Sequence, residues 1–316
     1  KFKTILITFY LFILLYNVFS FDYYWLSRVS YSLLIFFPFY YAAYKNYLNK
    51  KGFYIFGMAL LFIYLYGFYL GFNIKSELNQ EFYDIADNTG YALLGLFIYF
   101  SLRPTNSLNL YFISFIFITI LFSFKRGAII SSSFAYAVFT FYNFHNLKKR
   151  KILILPIMFG VCFIGFFFVE HSHQILHRFF SEAGDSLGSG RKTMYAKLFT
   201  TWVNSGAVGL LFGRGFFSVI DTLNGKFSHS DWLELMHDHG LIGLFLYAIL
   251  IISFVITRKH LSRDMMPVYI SILTVWLLKS IFSGVYMDRE FFLFFACIGL
   301  LLGSAHRRIE ASGEKG

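Results

Sequence analysis

An all-α integral membrane protein that crosses the bilayer many times is the fold class this sequence predicts, and three observations predict it. Of 316 residues, 57% are hydrophobic and only 14% charged, and mean hydropathy is +0.60; soluble domains average about 25% charged. Aromatic residues make up 22% of the chain, with 44 Phe and 23 Tyr. A soluble protein would have too little polar surface to disperse such a core, so lipid has to be the outer solvent. The apolar runs are near the roughly 20 residues a membrane helix needs and lack the dyad alternation of an outer-membrane barrel.

In chain order the apolar runs are 4–21, 29–44, 53–73, 89–102, 107–124, 127–144, 152–169, 241–257, 266–284 and 291–304, which predicts about ten transmembrane helices. Runs 89–102 and 291–304 are short for a full crossing, so they borrow flanking residues or sit where the protein thins the lipid. Cys162 and Cys297 fall inside apolar runs, and neither a disulfide framework nor a thiolate zinc site is readable from them. The first residue is Lys1, which leaves a short signal segment ahead of it open. Without an internal repeat or a long polar linker, 1–316 reads as one membrane domain, and inverted-repeat transporter architecture has no support.

Alternation puts Lys45, Lys50, Lys51, Lys148, Lys149, Arg150, Lys151, Arg258, Lys259, Arg263, Arg307 and Arg308 on one side, together with Lys1, Lys3, Arg103 and Lys315. Loops rich in lysine and arginine stay in the cytoplasm, so both termini are expected inside. The net charge of +11 then faces anionic lipid instead of forming a nucleic-acid surface.

One extracytoplasmic loop, 171–240, is far longer than the others. Within it Met194, Tyr195, Leu198, Phe199, Trp202 and Val203 recur at helical spacing behind Arg191, Lys192 and Lys197, the pattern of an amphipathic helix on the outer leaflet. Its start follows Gly188-Ser189-Gly190, so free N–H groups, the positive helix end and the Arg191 guanidinium converge where a phosphate would bind. Snorkelling of Arg191 to headgroups is the plain alternative. A second helix opens behind His229, with Ser228 or Ser230 placed to cap it. A helix N-terminus disfavours an extra proton on imidazole, so His229 there can act as a neutral base; local packing is the alternative. His237 and His239 either extend that site or face the headgroups. His171, His173 and His177 lack the further ligands a metal site needs, and no metal is expected.

Lys125 and Arg126 interrupt two spans in a tight outer turn, against the positive-inside bias, and charges kept there usually face a cavity. Lys279, inside the apolar run 266–284, is a similar case; it precedes Asp288, Arg289 and Glu290, and pairing with Glu290 is its simplest explanation.

Three motifs now coincide with a family pattern: Lys125-Arg126-Gly127-Ala128; Gly188-Ser189-Gly190-Arg191 with Gly213-Arg214-Gly215; and His229-Ser230-Asp231-Trp232-Leu233 ending in Gly240-Leu241-Ile242-Gly243. In this order, around one large outer loop, the chain resembles the O-antigen polymerase (Wzy-type) and O-antigen ligase superfamily. It departs from the pattern at Ser230, Lys125 and Tyr195, where Asn, Ser and Trp are frequent. The resemblance implies a GT-C-like membrane glycosyltransferase of the bacterial inner membrane, with its active site on the outer face. It further implies an undecaprenyl-pyrophosphate-linked oligosaccharide as donor and another lipid-linked repeat as acceptor, with no metal or other cofactor. The bilayer, a chain-length regulator and a flippase are the further partners expected, and nucleic acid is not. His229 is the expected catalytic base; Arg126, Arg191 and Arg214 are expected to bind pyrophosphate, with Lys125, Asp231, Glu234, Lys279 and Arg289 in support. A ligase using a lipid A core or other acceptor is the nearest alternative. A transporter or flippase with a polar path at Arg126 and Lys279 is the alternative of another class.

Overall fold

Helices follow the apolar runs closely. The computed structural model describes residues 1–17, 23–77, 88–103, 107–123, 125–143, 154, 158, 162, 191–286, 288 and 291–311, and no strand occurs among them. The helices are α1 (Phe2–Asn17), α2 (Tyr23–Tyr44), α3 (Lys50–Glu77), α4 (Thr89–Ser101), α5 (Ser107–Leu121), α6 (Arg126–Asn143), α7 (Arg191–Val203), α8 (Gly206–Phe212), α9 (Ser218–Thr222), α10 (Asp231–Ile256), α11 (Met266–Phe282) and α12 (Phe292–Ala311). Four stretches are long and apolar enough to cross a membrane: Lys50–Gly71, Asp231–His260, Arg263–Ile281 and Phe292–Ala311. Shorter apolar helices cover Phe2–Tyr16, Val29–Tyr44, Thr89–Ser101 and Leu108–Leu121. Most of the expected crossing 152–169, Gly188-Ser189-Gly190 and the histidines at 171, 173 and 177 lie outside the described residues.

The chain divides into two compact units, the first formed by Lys1–Val29, Gly160–Ile256 and Ser280–Tyr286. Its core is aromatic: Phe9 of α1 packs against Tyr247 at 5.5 Å and Tyr286 at 6.1 Å between ring centroids. Trp232 meets Tyr247 edge-on at 5.3 Å, and its indole N–H donates to Ser280 Oγ at 3.0 Å. The apolar side of α7 faces protein as well as the expected lipid: Leu198 joins Val219 and Leu223 in a buried cluster that Met194 and Leu233 complete, while Phe199 and Val203 stay exposed. α10 begins at Asp231, so the last residues of the long loop already belong to the helix that continues into the bilayer, with a break in helical geometry only at Gly240 (φ 64°, ψ −161°).

The second unit comprises Ser30–Phe159, Thr257–Lys279 and Met287–Gly316. Its α4 is buried from Gly90 to Ser101, which accounts for a short apolar run: other helices of the unit, not lipid, surround it. Among the described residues, basic stretches of this unit meet. There Arg103 donates to the Leu48 carbonyl at 3.4 Å and lies 4.8 Å from the Phe53 ring, Arg307 shares a small cavity with Arg103 and Asn46, and Arg308 donates to Ser262 Oγ at 2.6 Å.

Candidate active site

In the first unit the starts of two helices supply the expected groups. α7 spans Arg191–Val203; the expected Gly188-Ser189-Gly190 break before it lies outside the described residues. α10 begins two residues after His229, which is exposed and holds a left-handed backbone (φ 57°). That conformation is uncommon outside glycine, although histidine is enriched in it. Ser228 Oγ accepts the Ser230 N–H at 3.1 Å and donates to the Ser230 carbonyl at 3.0 Å; the same carbonyl then accepts the Glu234 N–H at 3.0 Å and closes the first turn. Asp231 is buried and takes the Tyr247 hydroxyl at 2.6 Å and the Val285 N–H at 2.8 Å, which ties 284–286 to the helix start. Both acidic residues of this first turn complement the positive helix end.

Tyr195 links the two helices. Burial raises its hydroxyl pKa above the ordinary tyrosine value, the Arg191 guanidinium acts in the opposite direction, and the Glu234 carboxylate adds to the rise. Arg191, Tyr195 and Glu234 therefore sit within electrostatic reach of one another.

The Gly213-Arg214-Gly215 turn is docked on the end of the helical segment 231–239. Arg214 N–H donates to the His237 carbonyl at 2.9 Å and Gly215 N–H to the Asp238 carbonyl at 3.2 Å. A Cβ at Gly213 would lie 2.2 Å from the Asp238 carbonyl oxygen, and one at Gly240 would lie 2.4 Å from the Leu211 carbonyl oxygen; both glycines have positive φ, so the contact requires glycine on both sides. The Asp238 carboxylate then collects three donors: Phe217 N–H at 3.0 Å, Ser218 Oγ at 2.8 Å and Val219 N–H at 2.9 Å. His237 is buried against Ser218 Oγ at 2.9 Å and His239 is buried among aromatic rings; neither faces headgroups. Arg214 remains exposed, its guanidinium donating to the Thr201 carbonyl at 3.2 Å.

The other expected cations belong to the second unit. α5 ends at Leu121 and α6 starts at Arg126, so the tight turn is as expected. Lys125 Nζ lies 5.9 Å from the Tyr91 ring, and Lys279 Nζ lies 4.2 Å from the same ring and 4.7 Å from that of Phe291. A Cβ on Gly127 would come within 2.2 Å of the Tyr91 hydroxyl, which explains the glycine after Arg126. Lys279 is buried and pairs with Asp288. The Arg126 side chain, Arg289 and Glu290 lie outside the described residues.

Sequence reasoning missed Tyr195 as the link between Arg191 and Glu234, Asp238 as the organiser of the 213–219 turn, and Tyr91 as the shared neighbour of two lysines. Only Asp238 carried a signal, standing between two histidines directly before a glycine. Among the described residues no group of histidine, cysteine, aspartate and glutamate is arranged to hold a metal ion.

No curated protein matches the chain, and no solved structure matches it. A family model does: residues 111–248 match that of O-antigen ligase. The matched stretch takes in Lys125, Arg126, Arg191, Arg214, His229, Asp231 and Glu234, and leaves Lys279 and Arg289 beyond its end. Residues 111–248, less than half of the chain, thus match the O-antigen ligase family model, which supports the O-antigen polymerase and ligase superfamily, whose members are membrane glycosyltransferase-like enzymes.

Proposed function

We propose that this chain is a repeat-unit polymerase of cell-surface polysaccharide assembly, working on the outer face of the bacterial plasma membrane with about ten crossings and both termini inside. One observation carries the reading most: Arg191 at the start of α7 and the His229 entrance to α10 belong to one unit, in which Leu198 of α7 and Leu233 of α10 pack in one apolar cluster. The meeting of basic stretches in the second unit supports the orientation.

In the reaction, a sugar hydroxyl of one lipid-linked repeat attacks the anomeric carbon of an undecaprenyl-pyrophosphate-linked glycan. The hydroxyl proton passes to the His229 imidazole, the bond from the anomeric carbon to the pyrophosphate oxygen breaks, and undecaprenyl pyrophosphate leaves with the electron pair. Arg191, with Arg214, neutralises that charge through planar charge-assisted hydrogen bonds. Asp231 and Glu234 steady the helix entrance that presents the imidazole. A left-handed histidine costs on the order of 1–3 kcal/mol and persists where its surroundings over-determine it, as functional sites do. With guanidinium groups facing the leaving group, this route takes no step through a divalent metal. A flippase to deliver the lipid-linked repeat and a chain-length regulator fit as partners.

The ligase reading shares these groups and the name of the matched family model, and differs in acceptor. Gel analysis of cells lacking the gene separates them. Polysaccharide stopped at a single repeat supports the polymerase, full-length polymer left unattached to its acceptor supports the ligase, and an unchanged ladder refutes both.

A further inference from the structure

Around Arg214 runs a groove of about 650 Å³, lined by Phe12 and Tyr16 of α1 and by Arg214, Phe216, Ser218 and Asp221; of these the transfer chemistry above uses Arg214 alone. Its volume is that of a small-ligand site, and its lining combines a few polar groups with apolar rings, as such sites do. The Tyr16 hydroxyl donates to the Phe212 carbonyl, which holds that ring in place. Directly behind the lining lies His239, fully buried, its ring centroid 6.0 Å from Phe12, 5.2 Å from Tyr16 and 5.7 Å from Phe216. Neither imidazole nitrogen has a hydrogen-bond partner among the described residues, and buried polar groups of native proteins are otherwise nearly always satisfied.

We infer that this groove holds a sugar ring of the lipid-linked glycan, with Tyr16 and Phe216 offering ring faces and Asp221 and Ser218 taking its hydroxyls. This rests on the polymerase or ligase reading above and assigns that reading its sugar-selecting residues. An aromatic face presents apolar surface to the C–H side of a sugar, while carboxylate and hydroxyl groups bond its rim. The Asp221 carboxylate argues against a diphosphate as the occupant, since like charges repel. Arg214 also lines the groove, so the sugar sits beside a cation that the proposed transfer uses. Along α10, His239 lies eight residues beyond Asp231, about 12 Å at the helical rise, a span that a short oligosaccharide bridges to reach the His229 entrance.

The test uses the full-length chain in nanodiscs and two probes in calorimetric titration: the repeat-unit oligosaccharide released by mild acid from the lipid-linked pool of cells lacking the gene, and undecaprenyl phosphate. Asp221→Asn and Tyr16→Leu, each confirmed to unfold at the wild-type temperature, are expected to weaken oligosaccharide binding about tenfold, the size of one charge-assisted hydrogen bond. Undecaprenyl phosphate binding should be unchanged. Absence of oligosaccharide binding to the wild type, equal binding by the variants, or loss of undecaprenyl phosphate binding instead would each overturn the proposal. Should Tyr16→Leu misfold, Asp221→Asn at an exposed site decides the matter alone. An unchanged polymer ladder after deletion of the gene would remove the enzymatic reading while leaving a measured sugar site standing, so the two failures are distinguishable.

Discussion

The two units of the molecule hold their expected site residues differently. In the second unit Lys279 is buried, paired with Asp288, and placed over the rings of Tyr91 and Phe291. In the first, His229 and Arg214 are exposed, and Arg191 is only partly covered. A cation already paired and covered by rings has little left to offer a leaving group, whereas the exposed Arg214 and the partly covered Arg191 do. The contrast teaches that charge in an apolar segment marks a site only when its partners have been counted.

The strongest way to break this contrast is His229→Ala, which should lower transfer by roughly 10²–10⁴-fold, the usual size of general base catalysis, with membrane insertion intact. Polymer formed per molecule of inserted protein is the measurement. Lys279→Met should act mainly on stability. It strands Asp288, and the loss should be about 2–3 kcal/mol, below the roughly 3–5 kcal/mol of a fully buried pair because Asp288 keeps 21% of its surface exposed. Thermal unfolding in detergent measures this, and adding Asp288→Asn should restore most of it.

Asp238→Asn should cost about 1–3 kcal/mol, since the amide keeps one acceptor oxygen where the carboxylate serves three donors. Faster proteolysis at the 213–217 turn would report it. The smallest effect belongs to Tyr195. Its raised pKa means that its contribution to stability is intact below the unfolded value of about 10 and lost as pH climbs through the higher folded value. Tyr195→Phe should flatten that alkaline limb of the stability curve and leave neutral pH unaffected.

Much of the helical architecture was legible because lipid imposes length and apolarity on each crossing, and the helix of α7 was legible because its apolar residues recur at helical spacing. What stayed hidden depends on distances across the fold. The meeting of Arg191 and Glu234 at Tyr195 arises from α7 packing on α10, which no local spacing records. The partner of Lys279 turned on where α11 stops: with the helix ending at Phe282, Asp288 comes within reach of the lysine. His237 and His239 looked like headgroup contacts beside Gly240, and became buried because the Gly213-Arg214-Gly215 turn docks against their backbone.

The central claim is that His229 and Arg191 carry the transfer. Its most direct test is the full-length chain reconstituted in liposomes with one defined undecaprenyl-pyrophosphate-linked repeat, without nucleotide sugar and with divalent cations chelated. The account predicts a ladder of lengthened glycans from the wild type and single repeats only from His229→Ala and from Arg191→Ala at equal reconstitution. A wild-type ladder from either variant would contradict it.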